Sequence, residues 1–471
     1  MNINTPNLKA GTARVDITPA GAVSMGGYGQ RAGKVSKGVH DPLFAKALFL
    51  TDGRVRLLCI TTDLISLPDA LCTRVLKGLT EANVAQKAEI CITASHTHSG
   101  PDVDERLIIA APIRDYLNRL VENLIKVGKE ASAKTIPVVI KMAIGKADFL
   151  VNRRQKGINH LVDERVLAIE MDRVENGSPL AVLFGVGCHA VCLGHDNLMI
   201  SADFPGYAQR FIEEKPGLEN ALFVNLTEGN VIPSTRPLYD SLDTRGYLGG
   251  SFEDAEKIGT ALGKEVLRSL REAEPVQLNR FRVNKCSFTV RPAHAEMGML
   301  TAYKELRRQR KIILEVLPGF CKASVFNLKP VFTLWRDASE VVIARNMSEA
   351  EMRRLMSAVS QFLVMAMRLS NPAYRKPVPV VVQTIQLNDY RLMTLPGEVL
   401  VEVGQDWQKR NHPCEDEAFV IGLANGFMGY LPHPSNFMED GANYKYETIM
   451  NALERDAARI SLEQAEQMVK A

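Results

Sequence analysis

The segment Ser95-His-Thr-His-Ser-Gly-Pro101 directly follows a short apolar run and constrains this chain more than any other segment. The apolar run predicts a strand, and Gly100-Pro101 breaks it, so both imidazoles are expected at the strand tip among loops. Residues two apart on an extended strand point to the same side. We therefore expect His96 and His98 to reach one cavity, one as a metal ligand and the other as a proton carrier. Two ordinary polar loop histidines explain this segment equally well, because a metal site needs further ligands.

Composition narrows the class of protein. The chain has 471 residues, a net charge of +3 and 24% charged residues, which is the balance of an ordinary soluble enzyme and gives no reason to expect a nucleic-acid partner. The eight cysteines are scattered without a CxxC pair, which indicates reduced and mostly buried thiols. The start lacks the apolar segment of a secretory signal, and no run is long enough for a transmembrane segment. The expected location is cytoplasmic.

Strand-like and helical patterns alternate along the chain and predict an α/β fold of mixed β-sheets with surrounding helices. Alternating apolar and polar residues around Asp52-Gly53 predict a hairpin over 45–63. A helix is expected over 70–79 and a strand over 89–94. Further strands are expected over 138–144, 166–171, 180–186, 221–226, 378–387, 390–394 and 418–423.

Two helices carry a recognisable start signal. Ser251 with Asp254 and Ser348 with Glu351 have the spacing of a capping box, and an apolar stripe follows each pair. The basic run 307–311 is best explained as a solvated helix face. Because no repeat or linker marks a boundary, we predict one catalytic domain over 1–471 with a helical insertion at about 291–377.

A second histidine occupies the same kind of position as the first pair. His189 follows the apolar run 180–186, so it also lies at a strand tip. Ser201 and Asp203 come soon afterwards and could orient an imidazole or hold a helix terminus. Asp203 is equally well explained as a helix cap.

Two later strand ends contribute an acid and a phenol. Glu398 follows Pro396-Gly397 and is expected in the first turn of a helix, where the helix dipole alone would also favour a glutamate. Tyr430 leaves a glycine-flanked turn, where a structural tyrosine is the usual case.

Two histidines and one glutamate make an open zinc site, in which the remaining position holds water. Zinc lowers the pKa of that water to roughly 7, which makes hydroxide available at neutral pH. His98 could then act as a general acid that protonates the leaving group. The chemistry that fits is attack on an amide or ester carbonyl.

The order of these motifs resembles the neutral/alkaline ceramidase family of zinc amidases, and the resemblance covers most of the chain. The motifs that carry it are Ala13-Arg-Val-Asp-Ile-Thr-Pro19, Gly26-Gly-Tyr28, His96-Thr-His-Ser-Gly-Pro101, Asn152-Arg153, the segment around His189, Ser201-Ala-Asp-Phe-Pro-Gly206, Pro396-Gly-Glu398 and Asn425-Gly-Phe-Met-Gly-Tyr430.

The resemblance implies a ceramidase-type catalytic fold and a set of site residues. The zinc ligands that it implies are His96, His189, Glu398 and Tyr430. It also implies that His98 transfers the proton, and that Asn152 and Arg153 lie near the active site and contact substrate.

One departure from the family bears on the substrate. The family carries Gly-Asp-Val-Ser-Pro-Asn where this chain has Gly229-Asn-Val-Ile-Pro-Ser234, so Ile232 stands at the family serine. An apolar side chain can neither hydrogen-bond a substrate nor act as a nucleophile. The chain is therefore identified as a divergent member, expected to lack the C-terminal immunoglobulin-like domain of ceramidases, with a substrate that need not be ceramide.

These observations lead to one main hypothesis and two alternatives. The main hypothesis is a zinc-dependent hydrolase that cleaves a C–N amide bond in a small-molecule or lipid-like N-acyl substrate. A metal-dependent esterase or lactonase is the first alternative, because the same water attack serves both reactions. A non-catalytic binding protein of the same fold is the second.

Overall fold

The structure is a computed structural model that describes most of the chain. The described residues are 8–28, 31, 34–103, 111–153, 161–235, 250–293, 298–316, 376–437, 446–449, 451 and 453–470, with 354–355, 358, 361–362, 365–366 and 369 between them. They form mixed sheets surrounded by helices, so the predicted α/β class is confirmed.

The strands, in chain order, are β1 (Lys9–Asp16), β2 (Gly38–Val39), β3 (Phe44–Thr51), β4 (Arg56–Thr62), β5 (Ile90–Ala94), β6 (Ile136–Lys146), β7 (Leu150–Asn152), β8 (Arg165–Arg173), β9 (Pro179–Val186), β10 (Met199–Ile200), β11 (Asn220–Asn225), β12 (Val231–Pro233), β13 (Phe281–Val290), β14 (Val378–Leu387), β15 (Tyr390–Thr394), β16 (Glu398–Val399), β17 (Ala418–Ile421) and β18 (Tyr430–Leu431). The helices are α1 (Asp69–Glu81), α2 (Ala111–Ala133), α3 (Asp203–Glu213), α4 (Phe252–Glu272), α5 (Met299–Val316), α6 (Val401–Arg410), α7 (Tyr446–Ile449) and α8 (Ala457–Lys470), with 3₁₀ turns at Lys87–Glu89 and Pro434–Asn436.

The larger sheet has eight strands in the order β11-β9-β8-β6-β1-β3-β4-β5. It contains the predicted hairpin, in which β3 and β4 pair antiparallel and Gly53 takes the left-handed conformation of the turn. Both edges of the sheet are parallel pairs, β4 with β5 on one side and β9 with β11 on the other. The carboxyl ends of β5 and β9 carry the histidine segments.

Both faces of the larger sheet are covered. On β3, Ala47 and Phe49 pack under α1 and α2, whereas Leu48 and Leu50 point to the opposite face, as the two-residue period of a strand requires. Helices α3 and α4 cover the other end of the sheet, over β8, β9 and β11. The apolar pattern of these strands therefore reflects burial on both sides.

The opposite face packs against a second sheet of four strands, in the order β13-β14-β15-β17. The two sheets are joined where β17 ends, because the Asn425 N–H donates to Ile92 O at 2.7 Å and Ala424 bridges Thr93. Leu423 and Asn425 adopt left-handed backbone conformations at this junction, with φ of 53° and 63°. The ends of β15 and β17 are thereby brought beside the end of β5.

The helix predicted over 70–79 and the capped helix at Ser251 agree with the structure. α4 begins after Ser251, whose side chain and that of Asp254 form the expected capping box. The basic run lies on α5, where Arg307, Arg308 and Lys311 are exposed. The start of the predicted helix at Ser348 lies outside the described residues, and the extent of the insertion at 291–377 stays a prediction.

Two further findings concern cysteines and membranes. The seven cysteines within the described residues are free thiols, five of them buried, and Cys321 lies outside that part. None of the helices that the structure describes combines the length and the apolar character that a bilayer span needs.

The prediction that Glu398 lies in the first turn of a helix is wrong. Glu398 belongs to the short strand β16, and α6 begins only at Val401 after the N-cap residue Leu400. The reason is a long-range pairing, because β16 pairs in parallel with β18 from the segment 430–431. Local sequence signals for a helix start do not register such a pairing.

The crossing of α3 and α4 provides a test of the fold. A Cβ at Gly259 would lie 2.5 Å from both Phe204 O and Tyr207 Cβ. Alanine ordinarily stabilises a helix interior by about 1 kcal/mol over glycine. Here we expect Gly259→Ala to lower the free energy of unfolding by about 2 kcal/mol, because backbone atoms must move apart. Urea denaturation measures this free energy. The control is Gly21→Ala, which is expected to change stability little, because Gly21 is exposed and no atom lies within 4 Å of the new Cβ.

Candidate metal centre

Three imidazoles meet at one end of the larger sheet. His96 and His98 follow β5, and His189 follows β9, and their ring nitrogens all lie within 4.8 Å of one another. His96 has a left-handed backbone with φ of 69°, which turns the chain away from the strand at that residue. All three rings are almost completely buried. This group could hold a metal ion.

A buried asparagine joins the two strands that carry these rings. The Asn225 side chain, at the end of β11, donates to Ser95 O at 3.0 Å and to Cys188 O at 3.1 Å. Its amide oxygen accepts from the Cys188 N–H. The sheet is thus closed between its two edges, and the residues next to Ser95 and Cys188 are His96 and His189.

Backbone carbonyls fix the imidazoles of His96 and His189. His96 Nδ1 lies 2.7 Å from Ile65 O, and His189 Nδ1 lies 2.7 Å from Glu228 O. A carbonyl can only accept, so each ring donates from Nδ1 and keeps its lone pair on Nε2. This arrangement, with one nitrogen anchored and the other available, is how proteins orient a metal-binding histidine.

Glu398 completes the cluster. Its Oε2 atom lies 3.3 Å from His96 Nε2 and 3.2 Å from His189 Nε2. Two lone pairs and a carboxylate oxygen that converge in this way repel one another unless a cation or a proton lies among them. Two imidazole nitrogens and a carboxylate oxygen are also a donor set that zinc prefers. The donor chemistry therefore fits a bound zinc ion.

Tyr430 lies beside Glu398 through the pairing of β16 with β18, in which these two residues are direct partners. Its hydroxyl accepts a hydrogen bond from Arg153 Nη2 at 3.1 Å. The structure thus brings Tyr430 to the edge of the cluster. Its assignment as a metal ligand stays a prediction.

His98 sits on the other side of His96, with 3.3 Å between their Nε2 atoms. Its ring rests on Gly27, where an added Cβ would lie 2.5 Å from the imidazole, and against the edge of Tyr28 at a centroid distance of 4.6 Å. Arg31 donates to the carbonyl of His98. Among the described residues, His98 Nδ1 has no hydrogen-bond partner, so this ring lacks the anchor that His96 and His189 have.

Burial and neighbouring charge shift three titrating groups. Burial and then Arg153 lower the pKa of His189 to about 4. Burial, together with His96 and His189, lowers the pKa of His98 well below its ordinary value. Burial and then Glu398 raise the pKa of Glu228 well above its usual range. At neutral pH the two imidazoles are therefore uncharged, and burial favours the protonated form of the Glu228 carboxyl.

Arg153 and Asn152 differ in what they contact. The Arg153 guanidinium donates to Glu447 at 2.9 Å and to Gly229 O at 2.8 Å, besides Tyr430. The Asn152 amide donates to Leu161 O at 2.7 Å. Arg153 therefore contacts Tyr430 at the edge of the cluster, whereas this Asn152 bond holds the backbone at Leu161.

Asp203 neither contacts an imidazole nor caps α3, whose N-cap residue is Ala202. It begins α3, and its carboxylate accepts from the Cys192 and Leu193 N–H groups in the loop that follows His189. Ser201 accepts from the Asp203 N–H. The acid therefore ties a helix start to the histidine loop without contacting an imidazole itself.

The sequence patterns did not single out three residues of this region: Arg31, Glu228 and Glu447. Each acts on a residue distant in the sequence, Arg31 on His98 and Glu447 on Arg153. A buried arginine or glutamate resembles a solvated one in a single sequence. No local signal could have identified them.

Comparison with known proteins shows which family this chain is similar to. Residues 8–129 match the family described as neutral/alkaline non-lysosomal ceramidase, N-terminal. Neutral ceramidase B of Dictyostelium discoideum is 24% identical over 271 residues, which are 50% of this chain and 38% of that protein. Neutral ceramidase A of the same organism is 23% identical over 256 residues, 48% of this chain and 36% of that protein. The matched region spans little more than a third of either relative.

Solved structures show the same fold. The neutral ceramidase of Pseudomonas aeruginosa superposes with a TM-score of 0.70 at 18% identity, over 99% of this chain and 74% of that one. A ceramidase complexed with C2 gives 0.68 at 17% identity, over 99% and 75%. The resemblance to the neutral/alkaline ceramidase family, and the fold that it implied, are confirmed.

The buried imidazoles predict a pH-dependent stability once metal is removed. The pKa of His189 is about 4 in the folded chain and about 6.5 when unfolded, so the unfolded state binds more protons between these values and stability rises with pH there. We expect the metal-free protein to lose about 2 kcal/mol between pH 7.5 and pH 5 from His189 alone. Urea denaturation after chelation measures the loss. His189→Gln should flatten the dependence, while the exposed control His412→Gln should keep it; equal stability at both pH values would contradict the assignment.

Proposed function

We propose that this relative of the neutral/alkaline ceramidases is a zinc-dependent hydrolase that cleaves the C–N amide bond of a small-molecule or lipid-like N-acyl substrate. The observation that carries the proposal is that Glu398 Oε2 lies within 3.3 Å of both His96 Nε2 and His189 Nε2, with the His98 imidazole beside His96. The relatives named above are neutral ceramidases, which supports an N-acyl substrate.

Zinc held by such donors activates water near neutral pH and polarises the carbonyl oxygen of an acyl substrate. The anchoring of His96 and His189 at Nδ1 keeps their lone pairs aimed at one point, so little reorganisation is needed when the ion binds. Tyr430 and Arg153 lie beside the proposed metal position. The Arg153 guanidinium contributes positive charge where negative charge develops in acyl transfer.

His98 is proposed to move the proton. Its lowered pKa keeps the ring neutral at pH 7, so it first accepts a proton from water and then gives that proton to the leaving nitrogen. The ring can change its hydrogen bonding because no carbonyl among the described residues fixes its Nδ1. An amine needs protonation to leave, whereas an alcohol needs it less, and this requirement favours an amide substrate over an ester.

The proposal is tested by separating metal binding from turnover. The purified protein is expected to contain zinc by elemental analysis and to hydrolyse N-acyl amides in a panel of amides, ceramides, esters and lactones. His189→Ala should lose the metal, because one imidazole ligand is gone. His98→Ala should keep the metal and lose turnover by roughly 10²- to 10⁴-fold, the usual contribution of a general acid or base.

Each other outcome of that experiment rejects a part of the proposal. Metal with turnover of esters or lactones alone would identify an esterase or lactonase. Protein without metal or turnover would be a binding protein of this fold. Loss of metal in His98→Ala would make His98 a ligand instead of the proton carrier.

Ile232 is proposed to shift the substrate range away from long-chain ceramide. It is buried in a small cluster with Tyr28 and Val191, and the Tyr28 ring contacts His98. An apolar residue there offers no hydrogen bond to a hydroxylated substrate, whose polar groups would be left unpaired.

This position predicts a change in substrate preference. The unmodified protein should hydrolyse ceramide more slowly than short N-acyl amides. Ile232→Ser should raise the ratio of ceramide to short-amide turnover by about 5-fold, the effect of one added hydrogen bond of about 1 kcal/mol. Ile232→Val, which stays apolar, is the control expected to keep the ratio. Faster turnover of ceramide than of short amides by the unmodified protein would refute the role.

A further inference from the structure

A second cavity lies apart from the histidine cluster. It has a volume of about 490 Å³ and lies between α1 on one side and strands β13 and β14 on the other. Its described lining contains none of the three imidazoles, nor Glu398. The volume is within the range of small-molecule binding sites, which is about 300 to 1,000 Å³.

The walls of this cavity are mainly apolar. Leu76 of α1 and Pro379 and Val381 of β14 face Pro396 across the space. Such walls gain free energy when an apolar group replaces water. An inorganic anion would make no apolar contact with these walls, so a ligand for this cavity needs an apolar part.

One half-buried cation lines the same cavity. Lys285 Nζ donates to Ile90 O at 2.6 Å, to Lys87 O at 3.1 Å and to Asn425 Oδ1 at 3.3 Å. All three acceptors are neutral, and within the described residues Lys285 forms no ion pair. Burial lowers the pKa of Lys285 to about 8. A buried charge without a counter-ion is costly, and a carboxylate placed beside it would compensate that cost.

The charge of the lining is positive. Its ionisable cations are Lys285 and Lys87, and its carboxylate is Asp69. Asp69 already accepts from the Phe427 N–H at 3.1 Å. The longest of the three Lys285 bonds, to Asn425, is the one that a ligand could most easily replace. A ligand carboxylate would therefore find a donor and a favourable field at Lys285.

We propose that this cavity binds a small organic carboxylate with a short apolar chain. The carboxylate pairs with Lys285, and the chain packs on Leu76, Val381 and the two prolines. The inference rests on the cavity and its charges, and it holds whether or not the histidine cluster is a hydrolytic centre.

Calorimetric titration with butyrate, hexanoate and octanoate, below their micellar concentrations, tests the proposal on the full chain. Affinity should rise with chain length until the cavity is filled. Hexanol and hexylamine should bind at least 10-fold more weakly than hexanoate, because neither offers an anion to Lys285. Lys285→Met should weaken hexanoate binding at least 10-fold. Lys77→Met, on the exposed face of α1, is the matched control expected to bind as the unmodified protein does.

Two further measurements keep the proposal falsifiable if Lys285→Met folds poorly. Val381→Phe fills the cavity while Lys285 is retained, and it should also abolish hexanoate binding. In the unmodified protein, reductive alkylation of Lys285 by a small aldehyde near pH 8 should slow at least 10-fold when hexanoate is present. If hexanoate binds Lys285→Met or Val381→Phe as tightly as it binds the unmodified protein, it resides elsewhere, for instance at the metal centre, and the proposal is overturned. The absence of hexanoate binding at millimolar concentration overturns it as well.

Discussion

The rest of the site depends on the hydrogen bonds of Asn225. Its side-chain amide donates to Ser95 O on one side and to Cys188 O on the other, and its main-chain carbonyl accepts from the N–H of Gly422, which follows β17 of the second sheet. A fully buried amide is retained only where its hydrogen bonds are made, because an unmet donor costs about 1 to 3 kcal/mol. The side chain of Asn225 thus joins the two histidine strands, and its backbone joins them to the second sheet, although none of these bonds involves an imidazole.

The elements of the fold followed from the sequence because their signals are local. The hairpin of β3 and β4, the strand before His96 and the capping box at Ser251 each depend on neighbouring residues alone. The meeting of His96 and His189 does not, since β5 is the last strand of an eight-stranded order and β9 is the second. Only the closure of the sheet brings their ends together, and no spacing in the sequence encodes that closure.

The same distinction explains which parts of the site could be predicted. His96, His98, His189 and Glu398 carry recognisable chemistry at strand ends, and the structure brings all four together. The strand identity of Glu398 depends on its pairing with Tyr430, which is distant in the sequence. Similarly, the ion pair of Arg153 with Glu447 spans 294 positions. Residue types indicate which side chains can bind a metal or move a proton. The residues that hold those side chains in place are identified only by contacts that form in the folded chain.

The left-handed backbone at His96, Leu423 and Asn425 has a consequence for engineering this protein. Such conformations cost non-glycine residues of order 1 to 3 kcal/mol each and persist only where surrounding bonds impose them. Selection for heat resistance alone would therefore favour glycine at these positions. Glycine at position 96 would remove an imidazole, and at 425 it would remove the amide that joins the two sheets and lines the Lys285 cavity. Directed evolution for stability would thus act against the same residues that shape both sites.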